Sequence, residues 1–333
     1  MVTAILFIVM LLILVIPHEF GHLIVAKLCG VQVNEFSMGM GPLIFQKKKG
    51  ETTYSLRLLP IGGYCAMEGE DEDTGNPRAF NNKSPLQKIA ILCAGVVMNV
   101  ILAILIFTIC MMIRTVPTNE IEVVTPGSAA QEAGVEAGYR LISVNGVEST
   151  DWVVLSYEIS KNQGELMEVV VSKDGDRKTF FLTPKYDEEQ QRYLIGVQAK
   201  STRSPFTCTK YGIRTAWNMN IVLLQSFKML FTGQVSKDDV AGPVGLVKVV
   251  NDAQSAGFLT YLMLLGLMSL NLAIINILPF PALDGGRILF VILRALTGDA
   301  ISDKVEAGFH FAGMMILIGL IIFITINDIS NLF

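Results

Sequence analysis

The sequence predicts a polytopic α-helical membrane protein with four spans and one inserted α/β module. Three observations carry that prediction. Of 333 residues, 51% are hydrophobic and only 17% charged, against about 25% charged in an ordinary soluble domain. Mean hydropathy is +0.50. Four apolar runs, at roughly 4–28, 88–113, 258–278 and 305–326, each reach the length of about 20 helical residues that a bilayer core requires.

The first run lacks a basic flank and a small-residue cleavage site, so it is expected to remain as a helix. It contains "VIPHEFGHLI" at 15–24, which puts two of the three histidines in one of the greasiest segments. Residues four apart on a helix share a face, so His18 and His22 can hold one ion, with Glu19 beside them. This is the H-E-x-x-H pattern, in which two imidazoles bind zinc and the carboxylate takes a proton from water. Composition alone produces such a match in roughly one chain in a thousand of this kind. Ionisable groups inside a membrane span are costly enough to imply function.

Between the first two runs, 44–58 alternates loosely around Lys49-Gly50 and reads as a membrane-associated hairpin. The acidic stretch 68–78 reads as a linker, without the ligand spacing of a calcium loop. Lys47, Lys48, Lys49, Arg57, Arg78, Lys83 and Lys88 lie in this connection, and Arg287, Arg294 and Lys304 lie between the last two runs. Basic residues mark cytoplasmic loops, so both termini and the long 114–257 segment are expected outside.

From 118 to 200 the composition becomes that of a soluble α/β module, and 201–257 reads as interfacial helices and linker. The expected organisation is therefore 1–113, with two spans and the histidine motif, then 118–200, 201–257 and 258–333, with the last two spans. Five cysteines, odd in number and without CxxC spacing, argue against a disulfide framework or thiolate zinc site. A net charge of −4 without a sizeable basic cluster gives no sign of a nucleic-acid partner.

A catalytic zinc commonly takes three protein ligands and leaves the fourth position to water. His310, Glu35 and Asp284 are the candidates for the third. Pro279 and Pro281 break the helix in "NILPFPALDGG" at membrane depth, which is tolerated only where freed backbone is buried or lines a wet cavity. That setting favours Asp284. Asn276, near the end of the third run, is placed to hydrogen-bond an oxyanion or substrate backbone.

H-E-F-G-H in a first span together with N-x-x-P-x-P-x-L-D-G at 276–285 resembles the site-2 protease family of intramembrane zinc metalloproteases, in its bacterial RseP/RasP type. "LPIGGYCAMEGED", "FNNKSPLQKIAILCAGVVMN" and "TGQVSKDDVAGPVGLV" extend the likeness over most of the chain. It implies that His18, His22 and Asp284 bind Zn2+, that Glu19 is catalytic, and that the hairpin, with Thr53 and Tyr54, receives the unwound substrate as an added strand. In span two the family reads A-G-P-x-x-N where this chain has "AGVVMN" at 94–99; Gly95 and Asn99 remain, and Asn99 is assigned with substrate. "VVTPGSAAQEAGVEAGYRLISVNGVE" at 123–148 resembles a PDZ signature, with Tyr139 where Asp is usual, and 193–197 would meet a peptide C-terminus. Implied partners are the bilayer and transmembrane substrates already trimmed outside, such as anti-sigma factors or signal peptides. Two rival readings, a membrane metal-binding or transport protein and an inactive peptide-binding scaffold, are disfavoured by the single polar cluster and by the retained Glu19.

Overall fold

A computed structural model describes residues 2–70, 74–234, 242–298 and 303–330. Parts of the acidic linker (71–73), of the approach to the third span (235–241) and of the tail (331–333) therefore lie outside the described residues. In chain order the elements are α1 (Val2–Leu28), β1 (Val33–Lys49), β2 (Thr52–Met67), α2 (Pro85–Arg114), β3 (Val116–Val124), α3 (Ala129–Glu132), β4 (Arg140–Val144), β5 (Val147–Glu148), α4 (Trp152–Lys161), β6 (Met167–Lys173), β7 (Asp176–Leu182), β8 (Lys185–Asp187), β9 (Arg192–Leu194), β10 (Val197–Thr202), α5 (Pro205–Phe231), α6 (Pro243–Ser255), α7 (Phe258–Ile277), α8 (Asp284–Thr297) and α9 (Asp303–Ser330). They divide into two compact units, Met111–Tyr211 and the remainder.

In the larger unit α1, α2, α7 and the Lys304–Asp328 stretch of α9 are long and apolar enough to cross a membrane, close to the four predicted runs. Their outward faces carry large exposed apolar side chains, among them Ile101, Leu105, Phe311, Met315 and Phe323. Such a surface is stable against lipid and is an aggregation liability in water. Inside, Met10, Leu14, Ile106, Cys110, Tyr261 and Leu265 pack α1, α2 and α7 together. Gly21 of α1 lies directly against α2: a Cβ there would lie 2.4 Å from the Ala94 carbonyl oxygen.

The predicted hairpin is longer and folds back on itself. Residues 33–38 pair with 63–67 on one side and with 53–56 on the other, and 52–57 pairs in turn with 43–49. Four strand segments thus lie in the order 63–67, 33–38, 52–57, 43–49. The bend in β1 passes through Gly39, whose φ of +86° favours glycine and where a Cβ would meet the Leu59 carbonyl oxygen at 2.6 Å.

The smaller unit holds a sheet in the order β10-β3-β4-β6-β7, with β5 pairing β4 and a separate β8-β9 hairpin. Leu141, Val144 and the alternating pair Val169 and Val171 form its core with Ile121, Leu155 and Ile195. Asp151 caps α4 by accepting from the Val153 N–H at 2.9 Å.

Candidate metal centre

Pro17 lies within α1 immediately before His18; lacking an N–H, it removes one bond of the helical ladder just where the motif begins. The one-turn spacing then stacks the two imidazoles, with ring centroids 4.8 Å apart and planes at 84°. Both rings are buried, with 6% exposure each.

Asp284 arrives from the far end of the sequence. α7 stops at Ile277, and the segment 278–283 folds across the start of α8. The two residues after Asp284 must be glycine for that approach: a Cβ on Gly285 would meet the Leu278 carbonyl oxygen at 2.2 Å, and one on Gly286 the Phe280 carbonyl oxygen at 2.3 Å. The segment is anchored by His310, whose Nδ1 accepts from the Ala282 N–H at 2.9 Å. His310 thus shapes the loop and stands apart from the histidine pair.

The three side chains converge. Nε2 of His18 lies 3.3 Å from Nε2 of His22, and Asp284 Oδ2 lies 3.2 Å from the first and 3.5 Å from the second. No hydrogen bond reaches the buried Oδ2. A tetrahedral zinc with bonds of about 2.0–2.2 Å has its ligand atoms roughly 3.3–3.5 Å from one another. The observed edges therefore fit that ion without rearrangement, and the donor set of two imidazoles and one carboxylate suits it chemically. His22 Nδ1 faces the Ile91 carbonyl at 2.8 Å; since a carbonyl can only accept, Nδ1 carries the proton and Nε2 offers its lone pair to the cluster.

Among the described residues, His18, His22 and Asp284 are the group that could hold a metal. Glu35, the alternative from sequence, is bound to Arg57 at 2.9 Å. Burial pushes its carboxyl up, but its polar neighbours Ser55, Arg57 and Tyr64 outweigh that and hold it below the usual value. Cys65 lies outside that group, and burial pushes its thiol up to about 12.

Glu19 faces the sheet. A Cβ on Gly63 would touch its Cγ at 3.4 Å. Asn276 of α7 brings Nδ2 to 3.3 Å from His18 Nε2, so it borders the cluster. The other residues assigned to substrate are placed differently. Asn99 is fully buried with its amide against His18. Thr53 and Tyr54 lie in an inner strand segment paired on both sides, which leaves no backbone edge there for an added strand. Sequence reasoning missed three contributors: the Ile91 carbonyl, Gly95, and the 63–67 edge. The double glycine of "IGGY" was the available signal for the last.

Two imidazoles and a carboxylate buried among membrane-spanning helices, with a glutamate one position along, define an intramembrane metal-dependent hydrolase. The chain belongs to Peptidase family M50, which it matches over residues 6–320. It is 36% identical over 319 residues to a Clostridium acetobutylicum protein that bears a zinc metalloprotease name, covering 95% of this chain and 94% of that one. Zinc metalloprotease RasP of Oceanobacillus iheyensis is 30% identical with both chains fully covered. Regulator of sigma-W protease RasP of Bacillus subtilis is 28% identical with 99% of each covered. A PDZ domain from a Listeria monocytogenes protein aligns with 25% of this chain at a TM-score of 0.23 and 11% identity, too weak a likeness to carry an argument. The protein is an intramembrane zinc metalloprotease of the site-2 type, with Zn2+ as its cofactor.

Proposed function

We propose that this protease cuts transmembrane segments left by an earlier extracytoplasmic cleavage, with anti-sigma factors and signal peptides as the substrate classes. The observation that carries the reading is the burial of the metal cluster among α1, α2 and α8, where only a membrane-embedded peptide bond would reach it. The name of the Bacillus subtilis relative, a regulator of sigma-W, supports the anti-sigma class.

In this reading His18, His22 and Asp284 hold the zinc. When bound, Zn2+ acts as a Lewis acid toward a carbonyl oxygen and lowers the pKa of water. Glu19 accepts the proton released by the attacking water and hands it to the departing amine nitrogen. Asn276 supplies an amide N–H at the border of the cluster, suited to an oxyanion or to substrate backbone. A helical substrate must be extended before its carbonyl can be attacked, and an extended strand satisfies its backbone at a sheet edge. The edge at 63–67 passes Glu19, so we assign strand addition there in place of Thr53 and Tyr54.

Charge distribution supports cytoplasmic loops between the first two and last two spans, and hence extracytoplasmic termini and an extracytoplasmic 118–200 module. That module holds a cavity of about 630 Å³ lined by Ser128, Trp152, Ile159, Ile195 and Val197. Its dimensions and its mixed lining, which also includes Lys185, Asp187 and Arg192, suit the end of a peptide, in keeping with a PDZ-like role.

Reconstitution into liposomes with a panel of candidate transmembrane substrates tests the assignment. Intact protein should cleave at least one trimmed substrate within its span, and Glu19→Gln should keep zinc while cleavage falls about a hundred- to ten-thousand-fold. Turnover by Glu19→Gln at the wild-type rate refutes the role of Glu19.

A further inference from the structure

One face of α2 surrounds the two histidines. Ile91, Gly95 and Asn99 are spaced four apart and so fall along one stripe of the helix. The Ile91 carbonyl takes the Nδ1 proton of His22 at 2.8 Å. Gly95 lies against both rings: a Cβ there would stand 2.4 Å from His22 Nε2 and 2.6 Å from His18 Cε1. Asn99, with no solvent exposure, brings its side-chain amide to 3.3 Å from His18 Nδ1. Its own backbone carbonyl is bonded by the Ser269 hydroxyl of α7 at 2.8 Å, and Ser269 is itself fully buried.

We infer that Asn99 is the positioning residue for His18, accepting the His18 Nδ1–H through its side-chain oxygen and so directing the Nε2 lone pair at the metal. The inference rests on the zinc-ligand reading of His18, His22 and Asp284. A neutral imidazole carries one proton. If Nε2 binds zinc, Nδ1 is the donor and requires an acceptor, and Asn99 is the side chain within reach. With the amide nitrogen turned toward Nδ1, two donors would face each other and Oδ1 would stay buried without a partner. Turning the amide about its own axis exchanges the two atoms within the same space and makes the bond. The two ligands are thus oriented differently, His22 by backbone that no substitution removes and His18 by a side chain that one substitution can. Asn99 needs no substrate contact in this arrangement, which accounts for its burial.

The test is zinc and cobalt binding by the full-length protein in detergent, read by competition with a chelator and by the visible absorption of the Co2+ form. Asn99→Leu fills the same volume without an acceptor and should bind zinc about ten- to a hundredfold more weakly, the usual range for such outer partners. Its Co2+ spectrum should also change. Asn99→Asp, which as a carboxylate can only accept, should hold zinc within a few-fold of wild type and keep the spectrum. Thermal unfolding of the metal-free forms separates packing from orientation, because a purely structural role predicts that Leu and Asp variants lose stability and zinc together. Asp284→Ala serves as the reference. If Asp284→Ala loses zinc while Asn99→Leu binds as wild type, or if Asn99→Asp loses as much as Asn99→Leu, the role of Asn99 is refuted. If Asp284→Ala itself keeps wild-type affinity, the ligand reading fails and this inference with it.

Discussion

At the scale of single residues, the site depends on atoms that leave no tolerance. Asp284→Ala removes one corner of a cluster whose edges are 3.2–3.5 Å, so metal content of the purified protein should drop to a small fraction of wild type. His310→Ala and Glu35→Ala should retain it, since the first anchors the 278–283 loop and the second is engaged with Arg57; loss of zinc from either at the level of Asp284→Ala would reassign the third ligand. Gly95→Ala should be as damaging as loss of a ligand. A methyl 2.4 Å from His22 Nε2 is far inside van der Waals contact, and the obstacle is a ring held on both sides. Zinc affinity and activity should both fall, whereas Gly50→Ala, where no atom lies within 4 Å, should alter neither beyond the modest strain of its positive φ. His18, Glu19 and His22 could be read from the sequence because four residues make nearly one helical turn. The role of Gly95 could not, because it depends on which helix crosses α1.

At the scale of elements, the folded-back sheet leaves Thr53 and Tyr54 in an inner segment, and the proposed substrate contact is the 63–67 edge. Alternation and a turn at Lys49-Gly50 revealed two strands, but the second pairing of 33–38 comes from 63–67, beyond the hairpin. A photo-reactive benzophenone side chain placed at Tyr64, in a Glu19→Gln background that traps substrate, should cross-link a bound transmembrane peptide. The same group at Tyr54, which packs against Phe36 with ring centroids 6.0 Å apart, should not; capture at Tyr54 alone would return the contact to the inner strand. In the α/β unit, Tyr139 stands where the related motif has an acidic residue. It is buried beside Phe180, and Lys173 and Lys178 each lie 5.5 Å from its ring. It therefore belongs to the core rather than the cavity, and its presence does not count against peptide binding.

At the scale of the whole molecule, the module at 118–200 is inserted between the second and third spans. A compact domain of about 80 residues has a radius of gyration near 12 Å, and we propose that it gates substrates by size. Replacing 118–200 by a short linker should allow cleavage of untrimmed substrates while trimmed ones are still cut, as judged by gel assay in liposomes. If the deletion instead abolishes cutting of trimmed substrates in a folded, zinc-loaded protein, the cavity recruits the substrate end and does not merely gate. Full removal of zinc by a chelator should stop both reactions, and readdition of Zn2+ should restore them.

The sequence by itself determined the membrane class, the four spans, the metal chemistry and the proline-broken segment that brings Asp284. Each of those follows from local rules: apolar length against bilayer thickness, a four-residue spacing against helical pitch, and a proline against the backbone ladder. Tertiary structure alone decided the rest. Which strand segment forms the edge beside Glu19, which α2 residues surround the imidazoles, and whether Asn99 meets substrate or His18 are questions of how elements far apart in sequence pack, and a side chain's neighbours across a helix crossing have no periodicity in the chain to announce them.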